Sequence, residues 1–189
     1  MQLPAPRATC LLLIASLAVT ACGSNQPRAI GVQFVQIGDD DVPNDGGGLA
    51  YYGLGTDEEP LSWFAELHVT ATGNVDGRYY RDAPPGSSGD AVTDRQVNAG
   101  SLHFGPCYRA LDWLNLYCGA GAGYTREYLE RFDPSFTLDP SGFYHVKGDD
   151  GFAGSATIGV LVQPGPGVAF GVGYDLYFEG VTYTLGFVF

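Results

Sequence analysis

Glu66 and His68 stand two positions apart, so on an extended strand their side chains share one face. A carboxylate beside an imidazole is the minimum needed for a proton relay or a general acid–base pair. Asn115, Asp175 and Tyr177 fall on the small or polar side of other alternating segments and belong to the same set. No Ser or Cys nucleophile sits at a recognisable spacing from a His, so the plainer expectation is a group of enclosed polar side chains that satisfy one another. His103 and His145 are isolated along the chain, and three scattered His do not spell a zinc site. Asp39, Asp40, Asp41 and Asp45 could gather a divalent cation with Asp149 and Asp150. The closing Glu of a calcium loop is missing, however, and a solvated acidic loop is the simpler reading. No catalytic residue, metal or cofactor is expected.

Cysteine carries the rest of the candidate chemistry. Arg7 followed by the apolar run from Cys10 to Val19 reads as a secretory signal peptide over residues 1–21, too short to span a bilayer as a helix. Its end, Val19-Thr20-Ala21-Cys22, resembles the lipobox of bacterial lipoproteins. That resemblance implies acylation of Cys22 and a lipidated tether over residues 22–29. Cys107 and Cys118 then remain as thiols of an exported chain. A hairpin centred between Asp112 and Trp113 sets them opposite one another, and a structural disulfide is expected.

The elements that position these residues are strands. The chain has 189 residues with 28 Gly, 12 Pro, 12 Tyr and 11 Phe, a mixture that suits one all-β domain with many turns and would damage a helical bundle. Its formal net charge of −12 argues against nucleic acid as a partner and against a basic patch for anionic headgroups. Alternation is clearest where Trp63, Ala65, Leu67 and Val69 oppose Ser62, Phe64, Glu66, His68 and Thr70, and where Leu114, Leu116, Ala120 and Ala122 oppose Asn115, Tyr117, Gly119 and Gly121. Ala156, Ile158, Val160 and Val162 oppose Ser155, Thr157 and Gly159. Val168, Phe170, Val172, Tyr174, Leu176 and Phe178 then oppose Ala169, Gly171, Gly173, Asp175 and Tyr177. Shorter segments at Ile30–Phe34 (with a bulge near Val35), Leu49–Leu54 and Arg95–Phe104 complete the pattern before the last one. Residues 73–94 and 125–151 read as long loops, Pro164-Gly165-Pro166 and Glu179-Gly180 as tight turns.

The last segment, Gly180–Phe189, places Val181, Tyr183, Leu185, Phe187 and Phe189 on one face and Thr182, Thr184, Gly186 and Val188 on the other. It resembles the closing strand of bacterial outer-membrane β-barrels, which typically ends in an aromatic residue. The whole of residues 30–189 resembles the small outer-membrane β-barrel superfamily that contains the transmembrane domain of OmpA. That implies an eight-stranded antiparallel up-and-down transmembrane barrel in the bacterial outer membrane, with the N-terminus periplasmic and Tyr183, Leu185, Phe187 and Phe189 as the assembly signal. Glu66, His68, Asn115, Asp175 and Tyr177 would then be interior polar groups. The partners implied are outer-membrane lipid and lipopolysaccharide and the barrel-assembly machinery, with a monomer expected. The function implied is non-enzymatic: surface structure, adhesion or envelope integrity. The alternatives are a barrel enzyme acting on lipid A and a soluble lipocalin-like barrel tethered through Cys22.

Overall fold

The structure is a computed structural model that describes residues 26–38, 45–71 and 77–189. The expected signal peptide, Cys22 with the first half of the tether, and the acids Asp39, Asp40 and Asp41 lie outside the described residues. Strand β1 is Arg28–Gln36, β2 Gly46–Gly53, β3 Leu61–Ala71, β4 Arg78–Tyr80, β5 Ala91–Leu111, β6 Leu114–Phe132, β7 Phe143–Gly165, β8 Val168–Asp175 and β9 Gly180–Val188. Antiparallel pairing runs β7–β6–β5–β3–β2–β1–β9–β8, and β8 pairs back onto β7. Eight strands therefore close into an all-β barrel with no free edge in its wall, and β4 adds to β7 in parallel outside the ring.

The alternation in the sequence sets which way the wall faces. Val32, Trp63, Phe104, Ile158, Phe170 and Phe187 are exposed on the outside, and the Trp63 and Phe104 rings stack 5.1 Å apart there. Gln33, Glu66, His68, Ser101, Thr157, Asp175 and Thr182 are buried inside. Each large apolar side chain left in water forgoes roughly 1.5–3 kcal/mol of burial free energy. A continuous outer belt of them suits hydrocarbon, where only a closed hydrogen-bond ladder is tolerated. The barrel is a membrane-spanning one.

Phe189 follows β9 and seals the seam. Its N–H donates to Arg28 O at 2.9 Å and its carbonyl accepts from Arg28 N at 3.0 Å, joining the chain's last residue to the start of β1. Tyr183, Leu185 and Phe187 all point outward from β9.

The two ends of the barrel differ. At one end the connections are short: residues 54–60, Asp112-Trp113 and Pro166-Gly167, the last with Gly167 at φ 89° where a side chain would be strained. At the other, β5, β6 and β7 run far past their neighbours, being 21, 19 and 23 residues long against 8 for β8. Residues 91–97 of β5 have no β3 partner and at ~3.3 Å per residue project on the order of 20 Å beyond it. With β4 they form a sheet ordered β5–β6–β7–β4 that stands above the barrel mouth.

Several expectations need correction. Much of 125–151 is strand, because Thr125–Phe132 and Phe143–Gly151 pair with each other and only 133–142 is left as a loop. The stretch 73–94 likewise contributes β4 and the start of β5. No bulge occurs at Val35, which stays paired to Gly46 and Thr182 in unbroken register. The β8–β9 turn is four residues, Leu176–Glu179, with Asp175 opposite Gly180. Odd parity is kept, but Phe178 turns inward and is buried, where the two-residue turn at Glu179-Gly180 had it outward. The β7–β8 turn is Pro166-Gly167 with an irregularity between Val162 and Gly165, in place of Pro164-Gly165-Pro166.

The disulfide is also overturned. The hairpin starts as expected, with Leu111 opposite Leu114, but a bulge between Arg109 and Leu111 shifts the register by one. Cys107 then faces Tyr117 and is buried inside, while Cys118 is exposed on the outer wall, and both are free thiols. A one-residue slip reverses every side chain that follows, so the two sulfurs end on opposite faces of the sheet.

Candidate functional site

Inside the barrel the side chains lie in layers. Nearest the short-turn end, Tyr52, Phe64 and Tyr117 pack ring on ring, with centroids 4.9 Å apart for Phe64–Tyr117 and 5.2 Å for Tyr52–Tyr117. The small inner face supplies room for them. A Cβ at Gly119 would lie 2.7 Å from Phe64, and one at Gly173 would overlap the Tyr117 hydroxyl. Asn115 is buried near this end, opposite Leu161, and does not reach the other polar candidates.

Glu66 from β3 begins the next layer. The Tyr52 hydroxyl donates to its Oε1 at 2.5 Å, Gln33 Nε2 donates to the same oxygen at 2.8 Å, and the Thr157 hydroxyl donates to Oε2 at 3.3 Å. Three donors on one buried carboxylate are what a water-poor interior demands. They also fix Gln33, since its amide nitrogen must face the acceptor-only carboxylate and its Oε1 must face the other way.

Gln33 Oε1 meets His68 Nε2 at 2.9 Å, so that nitrogen carries a proton. His68 Nδ1 lies 2.6 Å from Asp175 Oδ2, and one more proton is shared there. The Ser101 hydroxyl donates to Asp175 Oδ2 at 2.7 Å, and the Tyr177 backbone N–H donates to Oδ1 at 2.8 Å. His103 from β5 points into the same layer. Its Nε2 is 2.7 Å from Ser155 Oγ and 3.7 Å from Asp175 Oδ1. Its Nδ1 is buried with no partner among the described residues. His68, His103 and Asp175 are all fully buried.

The five polar residues singled out in the sequence fall in different places. Glu66, His68 and Asp175 converge, whereas Asn115 sits elsewhere. Tyr177 lies past the end of β8 as a half-buried cap, its hydroxyl bonded to Thr125. Gln33, Ser101, His103 and Ser155 were missed. His103 was findable, because Leu102 and Phe104 are large and apolar on the opposite face, which sends 103 inward. Ser101 and Ser155 do meet imidazoles, against the expectation from spacing. They do not form a catalytic triad, since Ser101 and Asp175 approach the same nitrogen of His68 while its other nitrogen is held by Gln33. Val35, Val97, Ala99 and Phe178 close the layer off towards the long-strand end.

Above this lid the extension has a covered face and an open one. The covered face holds Tyr144, whose hydroxyl donates to Asp90 at 2.7 Å, and Arg131, which donates to Ser87 O at 3.4 Å. The open face carries Tyr79 with His145 at 5.4 Å and with Tyr128 at 6.0 Å. Arg78, Arg81, Arg95, Arg126, Arg131 and Lys147 all belong to this end of the molecule. Acids interleave with them: Asp150 binds Lys147 at 2.5 Å and Arg126 at 3.4 Å, which occupies one of the acids weighed as a cation ligand. In the connecting loop Asp133 accepts from the Ser135 hydroxyl and from the backbone N–H groups of Ser135, Thr137 and Leu138. The Ser135 hydroxyl first, with those N–H groups, holds its carboxyl well below the usual carboxylate range.

An apolar outer belt, a polar interior filled by side chains and a closed ring of eight strands define a small outer-membrane β-barrel fold of the OmpA-like type. Solved structures share it. The crystal structure of Ail, the attachment invasion locus protein of Yersinia pestis, is 16% identical over 88% of this chain and 100% of its own, with a TM-score of 0.59. The same protein in complex with the heparin analogue sucrose octasulfate gives 13% identity, the same coverage and a TM-score of 0.57. At these identities the likeness is one of fold. No protein-family model matches the chain, and no curated protein does.

Proposed function

We propose that the chain is a non-enzymatic outer-membrane barrel whose β4–β7 extension is a contact surface of the adhesion type. The observation that carries this is the asymmetry of the molecule. Only one end is elongated, and that end presents Tyr79, Tyr128 and His145 on an open sheet beside most of the chain's cations. Aromatic and arginine side chains exposed on a rigid sheet are the usual anchors of recognition. Ail, the neighbour in fold, is an attachment protein by name and has been seen with a heparin analogue, which favours a polysulfated or otherwise polyanionic ligand.

In this reading the elongated end faces outward, the N-terminus is periplasmic, and Cys22 is acylated and holds the tether in the inner leaflet of the outer membrane. Lipid and lipopolysaccharide surround a monomeric barrel, and the aromatic-ended β9 is what the assembly machinery recognises. A lipid A-modifying activity is disfavoured because the His–Asp–Ser layer is sealed inside and, among the described residues, no such group lies on the rim. A soluble lipocalin-like barrel is disfavoured because the apolar face is the outer one.

The experiment is to replace 78–90 and 126–150 by short turns and compare both forms on the surface of a Gram-negative host. The shortened barrel should still insert, giving a heat-dependent gel shift, while cell attachment and binding of a polysulfated glycan are lost. Attachment equal in the two forms sinks the proposal.

A further inference from the structure

We propose that His68, His103 and Asp175 form a binding site for one divalent transition-metal ion of the zinc class inside the barrel. The donors come from three strands, β3, β5 and β8, so the fold itself sets their positions. One ligand atom from each lies within 4.8 Å of the others. Imidazole nitrogens at ~2.0–2.1 Å and a carboxylate oxygen at ~2.0–2.2 Å from zinc sit ~3.3 Å from each other in a tetrahedron. The His68 Nδ1–Asp175 Oδ2 separation of 2.6 Å and the His103 Nε2–Asp175 Oδ1 separation of 3.7 Å bracket that value. Two imidazoles with one carboxylate are a borderline-soft donor set that favours zinc and its neighbours over calcium or magnesium.

Charge points the same way. Asp175 and Glu66 are two carboxylates in a dry interior, and a buried carboxylate needs a cationic partner or dense hydrogen bonding. Glu66 has the hydrogen bonds. Among the described residues no Lys or Arg side chain enters the layer: Arg109 is held at the short-turn end by Gly55 O and Asp112, and the remaining cations sit at the chain's start or in the extension. Asp175 accepts from the Ser101 and Ser155 hydroxyls and the Tyr177 N–H, but among the described residues the only groups facing it that can carry positive charge are the imidazoles of His68 and His103.

Two further details fit a metal. His68 donates its far Nε2–H to a fixed amide oxygen, the outer arrangement that orients metal-bound histidines and leaves Nδ1 for the ion. His103 is fully buried and holds Nε2, the nitrogen it would offer the ion, toward Asp175 and Ser155. The Ser101 or Ser155 hydroxyl can fill a fourth position. The ion displaces the proton shared by His68 and Asp175, which leaves to solvent, and it enters as the barrel folds, before Val35, Val97 and Phe178 close over it.

The test uses the untagged mature chain with Cys22→Ser, refolded into detergent with Zn²⁺ or Co²⁺ alone and stripped of free metal on a chelating resin. Folding is scored by the heat-dependent gel shift, so a failed barrel is told apart from a failed site. About one metal per chain is expected, with visible absorption of tetrahedral Co²⁺ and a higher unfolding midpoint for the zinc form. His103→Gln should lower retained metal at least about tenfold, while His145→Gln leaves it unchanged. Folded wild-type protein that retains no stoichiometric metal and unfolds at the same midpoint with and without zinc overturns the proposal. So does a folded His103→Gln variant that retains as much metal as wild type.

Discussion

The sheet above the mouth continues three of the eight barrel strands, β5, β6 and β7, with β4 added, yet it and the barrel interior treat polar residues in opposite ways. Inside, Gln33, Glu66, His68, Ser101 and Asp175 bind one another and no water-facing group interrupts them. Outside, Arg95 pairs with Glu127 and Lys147 with Asp150 on surfaces open to solvent. The same residue types are therefore structural below the lid and available for contact above it. Loss of a buried partner strands a charge, whereas loss of an exposed one is repaired by water.

That contrast can be broken in graded steps. Asp175→Ala should cost the most, about 3–5 kcal/mol of barrel stability, because it leaves His68 and Ser101 facing each other without their acceptor. Denaturant unfolding in detergent measures it, and a cost below that of a surface change would refute the buried network. Gly173→Ala should cost about 1–3 kcal/mol by overlapping the Tyr117 hydroxyl and approaching Thr182 Oγ1 at 2.7 Å. In a Tyr117→Phe background the cost should shrink. An unchanged cost there would mean that the glycine is not making room for the ring.

Arg95→Ala lies above the lid and should change barrel stability by no more than about 1 kcal/mol. If the extension is the proposed contact surface, its effect should appear as weaker retention on a polysulfated glycan. The smallest effect concerns pH. Asp133 has its folded carboxyl held below the ordinary value, so its contribution to loop order is complete above that ordinary value, about pH 4, and fades as pH falls below it. The protection factors of the Ser135, Thr137 and Leu138 amides, which divide out the intrinsic pH dependence of exchange, should fall only under acid. A fall as pH drops from 7 to 5 would contradict the assignment.

A separate check concerns the cysteines. A membrane-permeant maleimide should label Cys118 and spare Cys107 in the folded barrel, and a non-reducing gel should show no intramolecular bridge.

Period-two alternation made the wall legible, since each barrel residue has only two faces to choose from and hydrocarbon selects one of them. Trp63, Ile158 and Phe170 were read correctly for that reason. Register was not legible at the same level. The bulge beside Ala110 leaves no mark in composition, and it alone separates Cys107 from Cys118. The extension was misread as loop because charged and aromatic residues occupy both of its faces, which erases the apolar stripe that marked the wall. Inside the barrel, Glu66, His68 and Asp175 could each be given an inward face one at a time, while Gln33, Ser101, His103 and Ser155 went unread. What was missing was depth: no pattern in the sequence says that positions 68, 103 and 175 share a level in the barrel.

The unequal length of the strands has a mechanical side. β6 and β7 stay hydrogen-bonded from Phe132 and Phe143 at the tip to Leu114 and Val162 in the wall, interrupted by one irregularity near Glu127. A pull on anything held at the tip therefore runs along the strand axes and loads many rungs of the ladder together in shear. The one break in the β6–β7 register is that irregularity, so the load would pass from the tip directly into the barrel wall.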